Sequence, residues 1–148
     1  MEYNIPQSKE IHALNEVARM AFDNAFKKGF WHEGVSKRNK SEIIALIHSE
    51  ASELLESYRK KRRADLSGFN AVQNKFMQQR GVIVPREYED TFMSHYEQFI
   101  KGSPEEEMAD IIIRVLDLAA ATAIDIGTHV ALKMKYNAMR PYMHNKGF

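Results

Sequence analysis

Cysteine is absent from the chain of 148 residues. That excludes a disulfide scaffold, a thiolate metal site and a cysteine nucleophile. It also suits a reducing compartment, so a cytoplasmic location is expected. Glycine and proline are scarce, at 7 and 4 residues, too few for the many turns of an all-β chain. No run approaches the roughly 18 consecutive apolar residues of a membrane-spanning helix. Met1 to Ser8 lacks the apolar stretch of a secretory signal, so neither a membrane partner nor export is expected. An excess of one charge is missing too. The 21 Lys and Arg against 20 Asp and Glu leave a formal net charge of +1, and a chain so balanced is not expected to hold a nucleic acid polymer by neutralising phosphates. With 44% hydrophobic and 28% charged residues the composition is ordinary for a globular protein, and the length suits a single domain over residues 1–148. What remains open is where the 20 carboxylates sit.

The hydrophobic pattern is helical. Ile11, Leu14, Ala18, Ala21, Phe22 and Ala25 recur at i, i+3, i+4 spacing, which predicts a helix over about residues 8–28 with Ser8 as N-cap and Gly29 as C-cap. Phe30 to Gly34 is a loop carrying two aromatics. A second helix runs from about Ser41 to Arg63, with Ile43, Ile47, Leu54 and Tyr58 as its apolar stripe. It ends in Arg59-Lys60-Lys61-Arg62-Arg63, read as a solvated helix end that suits the negative pole of the dipole; a nuclear signal or a phosphate patch is the other reading. Between residues 64 and 102 the pattern gives a short helix over Phe69–Gln79, an extended or turn segment from Gly81 to Pro85, and a helix over Glu87–Ile100. The last of these has Tyr88, Phe92, Tyr96 and Phe99 along one side.

The next helix has the clearest start: Ser103 as N-cap, Pro104 at the first helical position and Glu106 completing a capping box. From Ile111 to Ile124 eleven of fourteen residues are apolar, which predicts a central helix packed on all sides. A last helix, capped by Asp125 or Thr128, runs to about Arg140 and stops before Pro141. The fold class expected is all-α, an antiparallel helical bundle.

Two of these helices carry misplaced charge. Glu50 and Glu53 lie three apart, one turn above the other, at the edge of an apolar stripe. On the greasy helix Glu107, Asp110, Arg114 and Asp117 follow i, i+3, i+7, i+10 and form a single charged stripe. Like charges at the rim of a core repel and desolvate unless a cation sits between them. Two carboxylate pairs facing each other would make an all-oxygen site, which selects a hard cation, Mg²⁺ with Mn²⁺ as substitute. The plain alternative is a surface acidic cluster satisfied by lysines. On the last helix Lys133, Asn137 and Arg140 fall at i, i+4, i+7. A cation, an amide and a guanidinium in line suit a polyphosphate, and equally the solvated side of an amphipathic helix. Phe30 and Trp31 offer faces for a nucleobase, with His32 or Glu33 at its edge; a Trp here equally caps a core.

The stretches His48-Ser-Glu50-Ala-Ser-Glu53-Leu-Leu-Glu56-Ser-Tyr-Arg59 and Glu106-Glu107-Met-Ala-Asp110-Ile-Ile-Ile-Arg114-Val-Leu-Asp117 resemble the two halves of the MazG family signature, Glu-x-x-Glu then Glu-x-x-Asp. The tail from Lys133 through Asn137, Arg140, Pro141, Tyr142, His144 and Lys146 to Phe148 is similar to the closing segment of that family, and Gly29-Phe30-Trp31 to a common opening feature. The resemblance implies an all-α, Mg²⁺-dependent nucleoside triphosphate pyrophosphohydrolase, a hydrolase that turns an NTP or dNTP into the monophosphate and pyrophosphate in nucleotide-pool control or house-cleaning. It implies metal ligands at Glu50, Glu53, Glu107 and Asp110. One of these carboxylates, or neighbouring Glu56, would orient the attacking water, so Glu50, Glu53 and Glu56 are the candidate catalytic residues. Lys133, Asn137 and Arg140 would hold phosphates, and the chain would assemble as a homodimer or homotetramer; the candidate base contacts Phe30, Trp31 and His32 rest on their own side-chain chemistry. Residues 54–106 separate the two motif halves, much further than is usual in the family, so about residues 65–102 read as a partly helical insertion between the metal-binding helices. A phosphoribosyl-ATP pyrophosphohydrolase and a non-catalytic, nucleotide-sensing helical interaction protein are the alternative readings.

Overall fold

A computed structural model describes residues 4–78 and 84–141. Among the described residues there are six α-helices and no strand: α1 (Ser8–Lys27), α2 (Lys40–Arg59), α3 (Leu66–Gln78), α4 (Pro85–Phe99), α5 (Pro104–Ala121) and α6 (Ile126–Ala138). The protein is all-α, as its sparse glycine and its apolar periodicity predict. No helix is long and apolar enough to cross a membrane among the described residues. Of the turn expected at 81–85, residues 81–83 lie outside the described residues, while Val84 is extended and Pro85 opens α4. The tail beyond Pro141, with Tyr142, His144, Lys146 and Phe148, also lies outside them.

Capping chemistry sets the helix ends and moves several by a few residues. At α1 the cap is Gln7 rather than Ser8: its N–H donates to Glu10 Oε2 at 3.1 Å. At α2 it is Asn39 rather than Ser41, with Asn39 Oδ1 accepting the Ser41 N–H at 3.0 Å. Asp125, not Thr128, caps α6; its carboxylate accepts the Thr128 N–H at 3.0 Å. The start of α5 is as predicted, the Glu106 N–H donating to Ser103 Oγ at 3.2 Å.

Three C-termini share one ending. After α1, α2 and α5 the residues Gly29, Lys61 and Ala123 take φ of 86°, 56° and 56°. Each N–H, with that of the next residue, closes back on the final turn: Gly29 on Phe26 and Phe30 on Ala25, Lys61 on Tyr58 and Arg62 on Ser57, Ala123 on Ala120 and Ile124 on Ala119. This paired closure satisfies two orphan carbonyls and needs a left-handed residue, which glycine adopts at no steric cost. The left-handed turn at Lys61 also ends α2 before most of the basic run, which is therefore not helical beyond Arg59.

The chain divides into two compact units, one formed by Met1–Ile43 with Ile113–Phe148, the other by Ile44–Ile112. In the first, α1 packs on α6. A polar joint fixes the pair: Asn15 Nδ2 donates to Asp125 Oδ1 at 2.7 Å, and Asn15 Oδ1 accepts the Gly127 N–H at 2.8 Å. Gly127 is required there because a Cβ would run into the Ile11 carbonyl. In the second unit α3 packs on α4 through an aromatic column. Phe69 meets Phe92 edge-on at 5.6 Å, and Phe92 stacks on Tyr96 at 6.1 Å. The ends of this α3–α4 segment are tied together, Asp65 N–H to the Phe99 carbonyl at 2.9 Å. Glu105, in the first turn of α5, accepts from Ala64 N–H at 3.2 Å and pairs with Arg63 at 3.4 Å.

The expectation that the apolar helix 111–124 is covered all round is not met. Leu116 and Ala119 are buried, but Ile112 and Ile113 remain 55% and 50% exposed. An apolar surround in sequence thus exceeds what one copy of the chain covers.

The two left-handed, β-carbon-bearing residues yield a test. Lys61→Gly and Ala123→Gly each relieve an unfavourable φ, worth about 1 kcal/mol less the greater freedom glycine gives the unfolded chain. Each is expected to raise the thermal midpoint modestly in a calorimetric scan, and a loss of stability from both would contradict the assigned helix ends.

Candidate metal centre

α2 presents a buried line with a seven-residue period, Ile43, Glu50 and Ser57. Two helical turns separate successive members, so they share one face. An acidic side chain stands in the middle of an inward stripe, 7% exposed. Glu53, three positions on, is turned about 60° away and is exposed, accepting from Ser49 Oγ at 3.4 Å. Glu56 is exposed as well and pairs on its own helix with Arg59 and Lys60, both at 3.7 Å.

α5 contributes Glu107, 8% exposed, and the half-buried Asp110. Ligand atoms of Glu50, Glu107 and Asp110 all lie within 4.8 Å of one another. The structure therefore brings together three of the four carboxylates that the sequence pairs nominate. Glu53 stays outside the trio but close enough to act on it. Burial pushes the Glu107 carboxyl above its usual range, and the charges of Glu53, Glu106, Asp110 and Glu50 push the same way. The donor set is oxygen only, from acceptor-only groups once ionised. Such a set could hold a metal ion, and its oxygens suit a hard cation better than a soft one.

A residue not singled out for the site also reaches it. The Tyr96 hydroxyl, from α4, feels the negative charge of the Glu106 carboxylate. Burial first, then Glu106, Asp110 and Glu107, push its ionisation up to about 12, so it remains a proton donor at any physiological pH. The sequence marks Tyr96 only as one of four aromatics on a packing face; nothing in that spacing says where the hydroxyl points.

The remaining candidates belong to the other unit. Lys133, Asn137 and Arg140 follow one line along and just beyond α6. The Lys133 ammonium lies 4.9 Å and the Arg140 guanidinium 5.9 Å from the Tyr136 ring centroid, an attraction that holds both cations to one ring. Phe30, Trp31, His32, Glu33, Gly34 and Arg38 line a small pocket of about 120 Å³. Within it the aromatic pair divides. Trp31 is 2% exposed, lies 5.8 Å from the Phe22 ring and donates its indole N–H to Asp117 Oδ1 at 2.9 Å. Its faces are thus occupied as core, and Phe30 is the ring left open to solvent. His32 is exposed, with Nδ1 2.8 Å from the Gly29 carbonyl; a carbonyl only accepts, so Nδ1 carries the proton there.

Glu107→Gln tests the electrostatic reading. A carboxyl whose ionisation is pushed up opposes folding while it is charged. In metal-free protein the substitution is expected to raise the melting temperature at neutral pH, with the gain shrinking as the pH falls and the wild-type residue takes up its proton. Mg²⁺ is expected to raise the melting temperature of the wild type by mass action and to leave Glu107→Gln nearly unmoved. Thermal scans with and without Mg²⁺ between about pH 5 and 8 read both effects.

Comparison of the chain with models of protein families, with curated proteins and with solved structures found no match.

Proposed function

We propose that the protein is a Mg²⁺-dependent nucleoside triphosphate pyrophosphohydrolase that converts a (d)NTP to the monophosphate and pyrophosphate in control or cleaning of the nucleotide pool. The observation that carries this reading is the trio of Glu50, Glu107 and Asp110, with ligand atoms within 4.8 Å of one another on two helices. It agrees with the paired Glu-x-x-Glu and Glu-x-x-Asp pattern from which the MazG resemblance starts. Mg²⁺ bound there would neutralise phosphate charge and make a bound water acidic enough to attack phosphorus. In this reading Glu50, Glu107 and Asp110 hold the cation. Glu53 adds a fourth carboxylate, either as ligand or to orient the water, and Glu56, already paired with Arg59 and Lys60, has the weaker claim to that role. Lys133, Asn137 and Arg140 are the proposed phosphate contacts. Phe30 and His32 are the proposed base contacts, with Trp31 as the buried support behind them.

A homodimer or homotetramer belongs to the same proposal. Ile112 and Ile113 on α5 and Leu132 on α6 are each half exposed or more, apolar surface that a partner chain could cover. Light scattering on the purified protein is expected to give a mass of two or four chains, and a monomer at micromolar concentration would remove this part.

The activity is tested by incubating the protein with common and modified nucleotides and measuring pyrophosphate with and without Mg²⁺. Release from at least one of them, lost on chelation, is expected. Glu50→Gln and Asp110→Asn are expected to cut turnover by about two orders of magnitude or more with unchanged helical circular dichroism. Folded protein that releases pyrophosphate from none of them would overturn the proposal. Activity confined to phosphoribosyl-ATP, or binding without hydrolysis, would replace it with the corresponding alternative.

A further inference from the structure

The loop between α1 and α2 is built as a pocket, and two of its charged side chains have no part in the contacts proposed above. Gly29 and Gly34 take positive φ, 86° and 87°, and the chain around them closes on itself. The His32 N–H and its ring Nδ1 meet the Gly29 carbonyl at 3.2 and 2.8 Å, the Gly34 N–H meets the Trp31 carbonyl at 2.9 Å, and the Arg38 N–H meets the Gly34 carbonyl at 3.2 Å. Trp31 is fixed beneath, against Phe22 and with its indole N–H on Asp117. Phe30, 59% exposed, is the open ring. The cavity of about 120 Å³ is well below the ~300–1,000 Å³ of a site for a drug-sized ligand, so it suits one ring system with its appendages outside. Glu33 and Arg38 complete its lining.

We infer that this pocket selects guanine: Glu33 accepts from the edge that carries N1–H and N2–H, Arg38 donates to O6 and N7, and the base lies against Phe30. The inference rests on the reading of this loop as the base site and adds which base enters it. Glu33 offers only acceptors and Arg38 only donors. His32 adds an acceptor, because Nδ1 holds the proton and Nε2 of the neutral ring keeps its lone pair. A carboxylate beside a guanidinium leaves no excess charge, and the carboxylate repels a phosphate. The lining therefore suits an uncharged ligand with donors and acceptors on separate edges. Among the common bases guanine alone has two adjacent N–H donors on one edge, which fit the two oxygens of a carboxylate, and two acceptors on the next, the pair that Arg meets most often. Uracil and thymine set their one N–H between two carbonyls, which a carboxylate repels. Adenine and cytosine present an amino group beside a ring-nitrogen acceptor, so a carboxylate gains one bond and turns its other oxygen toward a lone pair. Arg38 has donors to give. Its Nη1 lies 3.8 Å from Glu42 Oε2, too long for a hydrogen bond, so that ion pair does not consume its N–H groups.

Trp31 is the one tryptophan of the chain, so its fluorescence reports this pocket. The test is a fluorescence titration of the full chain with GMP, AMP, CMP, UMP, IMP and 7-deaza-GMP, in EDTA so that no metal takes part. GMP is expected to bind about tenfold more tightly than AMP, CMP or UMP, the margin of one good bidentate pair. IMP lacks the 2-amino group and 7-deaza-GMP lacks N7, and each is expected to bind roughly tenfold more weakly than GMP. Two variants separate the edges. Glu33→Gln, which presents one acceptor oxygen in place of two, is expected to bind GMP no better than IMP while still telling GMP from 7-deaza-GMP. Arg38→Met is expected to do the reverse. A merely structural role would weaken every nucleotide alike and leave these ratios untouched. Unchanged ratios in both variants, or a wild type that binds another base as tightly as guanine, would overturn the inference and leave the base site standing. If Arg38→Met loses its helical circular dichroism, Glu33→Gln decides alone, its side chain being largely in solvent. A Trp31 signal that responds to none of the nucleotides would instead overturn the reading of this loop as the base site.

Discussion

Keeping several carboxylates together in partial burial is the constraint that organises the second unit. Glu50, Glu107 and Asp110 bring ligand oxygens within 4.8 Å, an arrangement that Coulomb repulsion and desolvation both oppose. The surrounding structure works against their separation. Glu107 stands at the fourth position of α5, where the positive pole of the helix favours negative charge. The cap ahead of it is closed by Ser103 and Glu106, and Glu105 ties the same turn to Arg63 and Ala64 at the end of α2. This fastening falls at the helix start that carries Glu107 and Asp110.

The contrast with Asp117 separates an acid with cationic and donor neighbours from one set among like charges. Burial pushes the ionisation of both Asp117 and Glu107 upward. Around Asp117 the other influences pull back: the Trp31 indole donates to it, and the charges of Arg114 and Arg38 favour its ionised form. Such a group is a satisfied acceptor beneath a tryptophan, and its role is to hold the loop after α1. Around Glu107 the neighbouring charges that matter are Glu53, Glu106, Asp110 and Glu50, all of the same sign. A positive charge placed among them would relieve that repulsion. Asp110, Arg114 and Asp117 form one stripe on the helical wheel, but its two ends belong to different compact units.

Much of the fold was legible because helix ends are written in local chemistry. The Ser103-Pro104-Glu106 start of α5 needs only its own turn to declare itself, and it is found as expected. The starts that moved, to Gln7 and Asn39, were competitions between adjacent polar residues that spacing alone does not decide. Lys61 and Ala123 were illegible because a left-handed C-terminal residue without glycine carries no compositional mark. Within the site, three residues of helical spacing told that Glu50 and Glu53 share a side but not which one turns inward. That depends on the phase of the buried line through Ile43 and Ser57, fixed by packing rather than by the wheel. Trp31 had two open readings, and its indole N–H chose between them by finding Asp117. The surroundings of Tyr96 could not be found at all, since an aromatic stripe announces packing and is silent on where its tyrosine hydroxyls go.

The formal charge of +1 conceals how unevenly the charges are used. Arg19 is shared by Glu16 and Asp23, at 3.0 and 2.9 Å; Glu56 takes Arg59 and Lys60; Glu105 takes Arg63, whose guanidinium also lies 5.3 Å from the Tyr58 ring centroid. The basic run at the end of α2 is therefore partly engaged in local pairs, which argues against a free phosphate-binding patch there. Exposed pairs of this kind contribute little to stability, but they decide which carboxylates are left to do something else. The acids turned inward are the ones at which a cation, if bound, would gain more than at the surface, because less water competes for it. A balanced composition is what such a division of labour produces when most ionic groups neutralise one another at the surface and a few like charges are gathered inside.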